Sequence, residues 1–150
     1  MKPTTPEAAA PRLADFLCFA VYSANLAFGR AYKPILDELG LTYPQYIAIV
    51  ALWEEDDQTV SRLGEKLFLE SNTLTPILKK LESMGYLTRR RDPKDERQVR
   101  VNLTEAGRRL REKGLTMNLI KQTRLPPEEF AKLQKAVSNL RDSLLEAAGE

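Results

Sequence analysis

The chain has 150 residues, 43% hydrophobic and 29% charged, with an apolar run at Phe16–Tyr22 too short to cross a bilayer and no secretory pattern at its start, so one globular cytoplasmic domain is expected. With no histidine and a single cysteine, Cys18, it excludes a Ser-His-Asp triad, a His-assisted thiol nucleophile, a His or cysteine-cluster metal site and an internal disulfide; no cofactor is implied. The net charge of +2 hides an asymmetry: residues 79–113 hold 12 of the 23 Lys and Arg against 6 Asp and Glu, so this block is +6 and the remainder −4, the footprint of a polyanion site.

Residues 1–11 carry Pro3, Pro6 and Pro11 without a periodic stripe and read as an arm. From Leu13 the spacing predicts one helix, with Leu13, Phe16, Leu17, Ala20, Ala24, Ala27, Phe28 and Ala31 along its main stripe and Gly40 as its stop. Thr42 and Pro44 open a second helix, whose predicted buried stripe is Tyr46, Ile47, Val50 and Trp53. Thr59 caps a short third helix with Val60, Leu63 and Leu67 inward. A fourth helix carries Leu74, Ile77, Leu78, Leu81 and Met84 on one face. Pro76 favours a regular start nearer Thr73 than Ser71. After Gly85, Leu87–Arg91 and Gln98–Leu103 read as strands around the turn Asp92-Pro93-Lys94-Asp95. Thr104 caps a long helix toward Gln122, and Pro126-Pro127 begin a last one with Phe130, Leu133, Val137, Leu140 and Leu144 on its stripe.

Helix, short helix, helix and hairpin make a winged helix-turn-helix, mainly α with a β wing. In that arrangement the second helix of the pair enters the major groove and the hairpin reaches a neighbouring groove. Ser71, Asn72, Thr73, Thr75, Lys79 and Lys80 lie opposite the buried stripe of the fourth helix; hydroxyls, an amide and open backbone N–H groups suit phosphates and base edges. Arg89, Arg90, Arg91, Lys94 and Arg97 are expected at the hairpin tip, where an arginine can enter a narrow minor groove. Double-stranded DNA is the expected partner, as a pseudo-palindrome if the protein is a homodimer.

Three segments resemble the organic-hydroperoxide-resistance regulators (OhrR) of the MarR family: Leu39–Trp53, Thr73–Glu82 and the wing Asp95–Thr104, together with the N-terminal Phe16-Leu-Cys-Phe-Ala-Val-Tyr22. The resemblance is close over about residues 12–115. It implies a MarR-like homodimer with a sensor and dimerisation segment at 12–40, a DNA-binding domain at 41–103 and dimerisation helices at 104–150. It implies that Cys18 senses peroxide, that Tyr32 and Tyr43 hydrogen-bond its sulfur across the dimer, and that Tyr22 lies nearby. Glu70, Ser71 and Thr73 then fall at recognition-helix contact positions, with Glu70 where the family often has Asp. Arg97 becomes the minor-groove finger and Asp95 its brace. Two-cysteine members carry a second thiol in the stretch matching Ile120–Leu125; this chain has none there, so the resemblance implies a one-cysteine type served by a low-molecular-weight thiol.

Independently of the resemblance, Cys18 shares a second helix face with Ala14, Val21, Tyr22, Asn25 and Tyr32. A helix apolar over most of its girth needs a partner beyond its own domain. Tyr32 lies 14 residues from Cys18, ~21 Å along one helix, out of reach within one chain. Asp15 opposes thiolate formation, and a helix start two turns before Cys18 leaves its dipole too distant to help; phenolic donors are the expected stabilisers. Two other functions fit parts of the pattern: a MarR-type repressor binding a small aromatic ligand with Cys18 a bystander, and a thiol peroxidase using Cys18. The latter leaves the winged-helix pattern without purpose.

Overall fold

The computed structural model describes residues 9–114 and 119–149; the arm expected at 1–11 lies outside it through residue 8. Seven α-helices and a small sheet follow in order among the described residues: α1 Leu17–Leu39, α2 Tyr43–Glu54, β1 Gln58–Thr59, α3 Val60–Leu67, α4 Ser71–Ser83, β2 Leu87–Arg91, β3 Val99–Leu103, α5 Glu105–Gly114, α6 Leu119–Thr123 and α7 Pro127–Ala147. Among these residues no helix is long and apolar enough to cross a membrane. The chain divides into two compact units after Arg108, within α5.

The helix expected from Leu13 is broken. Leu13–Asp15 form a 3-10 turn, and Phe16 is extended at φ −86°, ψ 115°, so α1 starts at Leu17. Apolar spacing runs unbroken through the join, which hid the break. At the other end Gly40 stops α1 at φ +68°, with the Leu41 N–H returning to the Leu36 carbonyl. Only Tyr32, Leu36 and Leu39 of α1 are buried; the main stripe is exposed, including Leu17 and Phe28, and so is Phe19 beside it.

Thr42 and Gln45 close a reciprocal capping box on α2, each side chain bonding the other's backbone. The buried residues of α2 are Ala48, Ile49, Ala51 and Leu52, not the expected stripe, whose members are half-buried. This helix is apolar nearly all round, so periodicity alone does not select a face. Thr59 caps α3 as expected, its hydroxyl accepting the Arg62 N–H at 3.2 Å; Leu63 is buried while Val60 and Leu67 are half-buried.

The fourth helix begins at Ser71, not Thr73, with Pro76 inside it. Pro76 and Asn72 are both exposed, so the one carbonyl that loses its i→i+4 donor faces solvent and the cost stays small. Leu74, Leu78 and Leu81 are fully buried on the opposite side, against Leu63, Ile49, Leu52 and Leu87 of the same core. Gly85, at φ +84°, turns the chain into β2. The wing forms as expected, Arg90 opposite Arg100 and Leu87 opposite Leu103. A third strand missed in the sequence, β1, pairs antiparallel with β3, giving the order β1-β3-β2.

Thr104 caps α5, its hydroxyl accepting the Gly107 N–H at 3.2 Å. A Cβ on Gly107 would lie 2.1 Å from the Tyr86 carbonyl oxygen, so only glycine permits this approach. Trp53 uses it, donating from Nε1 to the Gly107 carbonyl at 3.0 Å. The helix expected to continue toward Gln122 is described only as far as Gly114 and again from Leu119, residues 115–118 lying outside the described residues. In the second unit Pro127 starts α7, none of whose residues is buried. Leu133, Val137 and Leu144 of its stripe are exposed.

Candidate nucleic-acid interface and redox site

The N-terminus of α4 is open to solvent. Glu70 takes the N-cap position without closing it by a side-chain bond, and Glu70, Ser71, Asn72 and Thr73 are exposed. The first amides of the helix therefore have no side-chain cap and point away from the core. Lys79 and Lys80 lie exposed farther along. Thr75 is half-buried and its hydroxyl donates back to the Ser71 carbonyl at 2.7 Å, so it is engaged within the helix, unlike its exposed neighbours.

The wing sorts its arginines in a way the sequence does not reveal. Arg97 stands at the tip, its side chain 91% exposed. Asp95 accepts its Nε at 3.2 Å and its backbone N–H at 3.1 Å, so the expected finger and brace are in contact. Lys94 and Arg91 are exposed, Arg91 donating to the Glu96 carbonyl across the loop at 2.9 Å. Arg89 is a correction: it is mid-strand rather than at the tip, and Glu82 of α4 accepts both its backbone N–H at 2.8 Å and its guanidinium at 3.1 Å. It ties the wing to the recognition helix instead of reaching outward. Arg90 likewise turns to Asp57 and Asn102.

Cys18 is exposed, the second residue of α1. This overturns the expectation that the helix start lies two turns away: the break at Phe16 brings the positive end of α1, uncapped by any side chain, to the sulfur. Tyr22 follows one turn later on the same face and is exposed, its ring 6.5 Å from Phe19. Tyr32 and Tyr43 are brought together, ring centroids 5.1 Å apart, but at the far end of α1 from Cys18. Tyr32 is 7% exposed; burial first, then the neighbouring Tyr43 and Tyr46, push its phenol up to about 12. Tyr46, read in the sequence only as a member of the buried stripe, shares the cluster, edge-on to Trp53 at 6.1 Å, and its phenol is raised by burial and by Tyr43. Its signal was present in the spacing Tyr43-x-x-Tyr46, one helical turn.

Two acidic residues were also missed. Asp56 accepts the Leu103 N–H at 2.9 Å and Asp57 accepts Arg90 and Arg100; partners more than 30 residues away left no local pattern.

A recognition helix with an open N-terminus, an arginine-tipped wing and a basic face define a winged helix-turn-helix DNA-binding protein. The model of the SarA/Rot transcriptional regulators matches residues 30–113. The organic hydroperoxide resistance transcriptional regulator of Bacillus subtilis (strain 168) is 42% identical over 138 residues, covering 89% of this chain and 92% of that protein. The HTH-type transcriptional regulator TtmR of Methylorubrum extorquens (strain PA1) is 46% identical over 135 residues, 89% of this chain and 69% of that one. Reduced AbfR of Staphylococcus epidermidis, solved bound to DNA, matches with a TM-score of 0.76 at 37% identity, over 90% of this chain and 94% of the other. The chain belongs to this family of MarR-like winged helix-turn-helix transcriptional regulators, in the group of the organic hydroperoxide resistance regulators, and is a regulator rather than an enzyme.

Proposed function

We propose that the protein is a homodimeric repressor that holds a pseudo-palindromic operator while Cys18 is reduced and leaves it when an organic hydroperoxide oxidises that sulfur. The observation that carries the reading is the placement of Cys18: an exposed thiol in the first turn of a helix whose apolar face is exposed among the described residues. Exposed Leu17, Phe19 and Phe28 on α1 and Leu133, Val137 and Leu144 on α7 call for a second copy. With the first helices antiparallel across a two-fold axis, Cys18 of one protomer comes beside Tyr32 and Tyr43 of its partner. Residues 12–40 then serve as sensor and dimerisation segment, 41–103 as the DNA-binding domain and 104–150 as further dimerisation helices.

The chemistry follows from those groups. The thiolate attacks the distal oxygen of the hydroperoxide, the O–O bond breaks, and the alkoxide leaves as the alcohol after taking a proton. The phenolic O–H groups of Tyr32 and Tyr43 donate hydrogen bonds to the thiolate beforehand. The apolar surroundings, Phe16, Phe19 and Val21, favour bulky organic peroxides over hydrogen peroxide. The sulfenic acid then condenses with a low-molecular-weight thiol, forming a mixed disulfide and water. Either product removes the tyrosine hydrogen bonds and adds volume at a packed interface, which shifts to another arrangement rather than stretching. DNA contact falls to Glu70, Ser71, Asn72, Thr73, Lys79 and Lys80 on α4, and to Arg91, Lys94 and Asp95-braced Arg97 on the wing.

Fluorescence anisotropy on a labelled duplex carrying the protein's own promoter region tests this. Reduced protein should bind, cumene hydroperoxide with a small thiol should release it, and Cys18→Ser should bind but not release. Release from Cys18→Ser would refute the sensor role and favour a small aromatic ligand at the Tyr32, Tyr43 and Tyr46 cluster.

A further inference from the structure

Two arginines stand directly opposite each other in the wing, Arg90 on β2 and Arg100 on β3. Like charges facing across a ladder are unfavourable. Asp57, in the turn before β1, resolves the conflict. Its Oδ1 accepts Arg90 Nη2 at 3.3 Å and Arg100 Nε at 2.9 Å, and its backbone carbonyl accepts Arg100 Nη2 at 2.8 Å. The remaining nitrogen of Arg100, Nη1, reaches Asp92 Oδ2 at 3.1 Å. Asp92 is buried where the wing loop leaves β2. Its Oδ1 accepts the Lys94 N–H and its own N–H donates to the Gln98 carbonyl, both at 2.8 Å.

Every nitrogen of the Arg100 guanidinium is thus spent inside the protein, and the side chain is 28% exposed. Asp57 sits at φ +55°, a left-handed conformation that Asp adopts more readily than most residues and that offers carbonyl and carboxylate to one guanidinium. Hydrogen bonds from Arg100 hold the Asp57 carboxyl below its ordinary range; the Lys94 amide first, then Arg100, do the same for Asp92. The clasp is therefore charged at neutral pH. Beyond it lie exposed Pro93, Lys94, Glu96, Arg97 and Gln98.

We infer that Arg100 is a positioning residue for DNA recognition: by joining Asp57 to Asp92 it fixes the wing loop on the helix-turn-helix and so presents Arg97 in one orientation. The inference rests on the reading of Arg97 as a groove contact. Asp95 and Arg97 bond within the loop, so their orientation relative to α4 follows from how the loop is anchored, and the clasp at Asp92 is the anchor that reaches beyond the hairpin to Asp57. A loop released from it must be ordered again at each binding event, which weakens binding without removing a contact.

The test is a double-mutant cycle by anisotropy on the same promoter duplex, with full-length wild type, Arg97→Ala, Arg100→Gln, Arg100→Lys and Arg97→Ala/Arg100→Gln. Arg100→Gln should weaken binding roughly tenfold, an effect of the size of one lost groove contact. Arg100→Lys should weaken it similarly, because an ammonium keeps the charge but not the planar fork. In the Arg97→Ala background Arg100→Gln should add less than about twofold, the signature of coupled residues. Wild-type affinity in Arg100→Gln, or a full additive loss in the double variant, overturns the inference; the latter makes Arg100 a general phosphate charge. Wild type that ignores the duplex would remove the DNA reading itself, and the clasp is then judged by amide hydrogen exchange. Residues 92–98 should exchange faster in Arg100→Gln and in the gentler Asp92→Asn, with core amides such as Leu78 unchanged; unchanged exchange at 92–98 overturns the clasp directly.

Discussion

Replacing Tyr32 by Phe tests whether this tyrosine, proposed to serve the sensor, is held as a neutral donor. Tyr32 is 7% exposed, and its phenol is pushed from 10.0 up to about 12, chiefly by burial. A shift of about two units corresponds to ~2.7 kcal/mol of preference for the neutral form. Below pH 10 the phenol is protonated in folded and unfolded chains alike, and that stability is fully present. As pH rises past 10 the unfolded chain releases its proton first, so stability falls by up to ~1.4 kcal/mol per pH unit and the contribution is gone once the folded phenol titrates near 12. Urea unfolding of wild type and Tyr32→Phe should therefore diverge: by pH 11.5 the wild type should have lost about 2 kcal/mol more than the variant. Tyr46, raised in the same direction, lowers both curves together and leaves their difference to Tyr32. Parallel curves would refute the reasoning, because they would mean that the phenol keeps its solvent in the folded protein. A neutral phenol throughout the physiological range is what a thiolate needs, since only O–H can donate to it.

Other substitutions report on the frame around the site. Leu78→Ala empties a position with no exposure at the centre of the helix pair and should cost about 2–5 kcal/mol in urea unfolding; a loss under about 1 kcal/mol would show that the core collapses to fill it. Gly107→Ala places a methyl 2.1 Å from the Tyr86 carbonyl and should lower stability by more than about 2 kcal/mol, whereas a wild-type melting temperature would mean that α5 shifts freely at its start. Val137→Asp, on a residue 45% exposed, should leave the protomer's fold nearly unchanged while weakening self-association in sedimentation equilibrium; undiminished association would take α7 out of the interface.

Most of the architecture could be read along the chain because its punctuation is local. Thr42, Thr59 and Thr104 cap helices within three residues, and Gly40 and Gly85 turn at positive φ. The wing's alternation was legible for the same reason, and its Asp95–Arg97 pair through the resemblance to the hydroperoxide-resistance regulators. The unread parts depend on distance or on too uniform a pattern. Apolar spacing continues through Phe16, so nothing marked the break that puts Cys18 in a first helical turn. The nearly all-apolar α2 offered no unique face. β1 has two residues, too few to show a period, and it exists only because β3, more than 40 positions later, lies beside it. Arg89 and Arg90 looked like Arg97 in sequence, and only their acidic partners, Glu82 and Asp57, distinguish an arginine that braces from one that reaches.

The shortest strand has a mechanical consequence. Thr59 belongs to two elements at once: its backbone pairs with Arg100 in the sheet while its hydroxyl caps α3. No residue separates the wing's sheet from the first helix of the DNA-reading pair, so no hinge lies between them. The wing's sheet is thus joined directly to α3, and Glu82 and Arg89 tie the same sheet to α4. On the proposed function, a signal arriving along α1 would change the spacing between the DNA-reading units of the two protomers rather than the shape of either. Such a repressor would let go of both grooves in a single step.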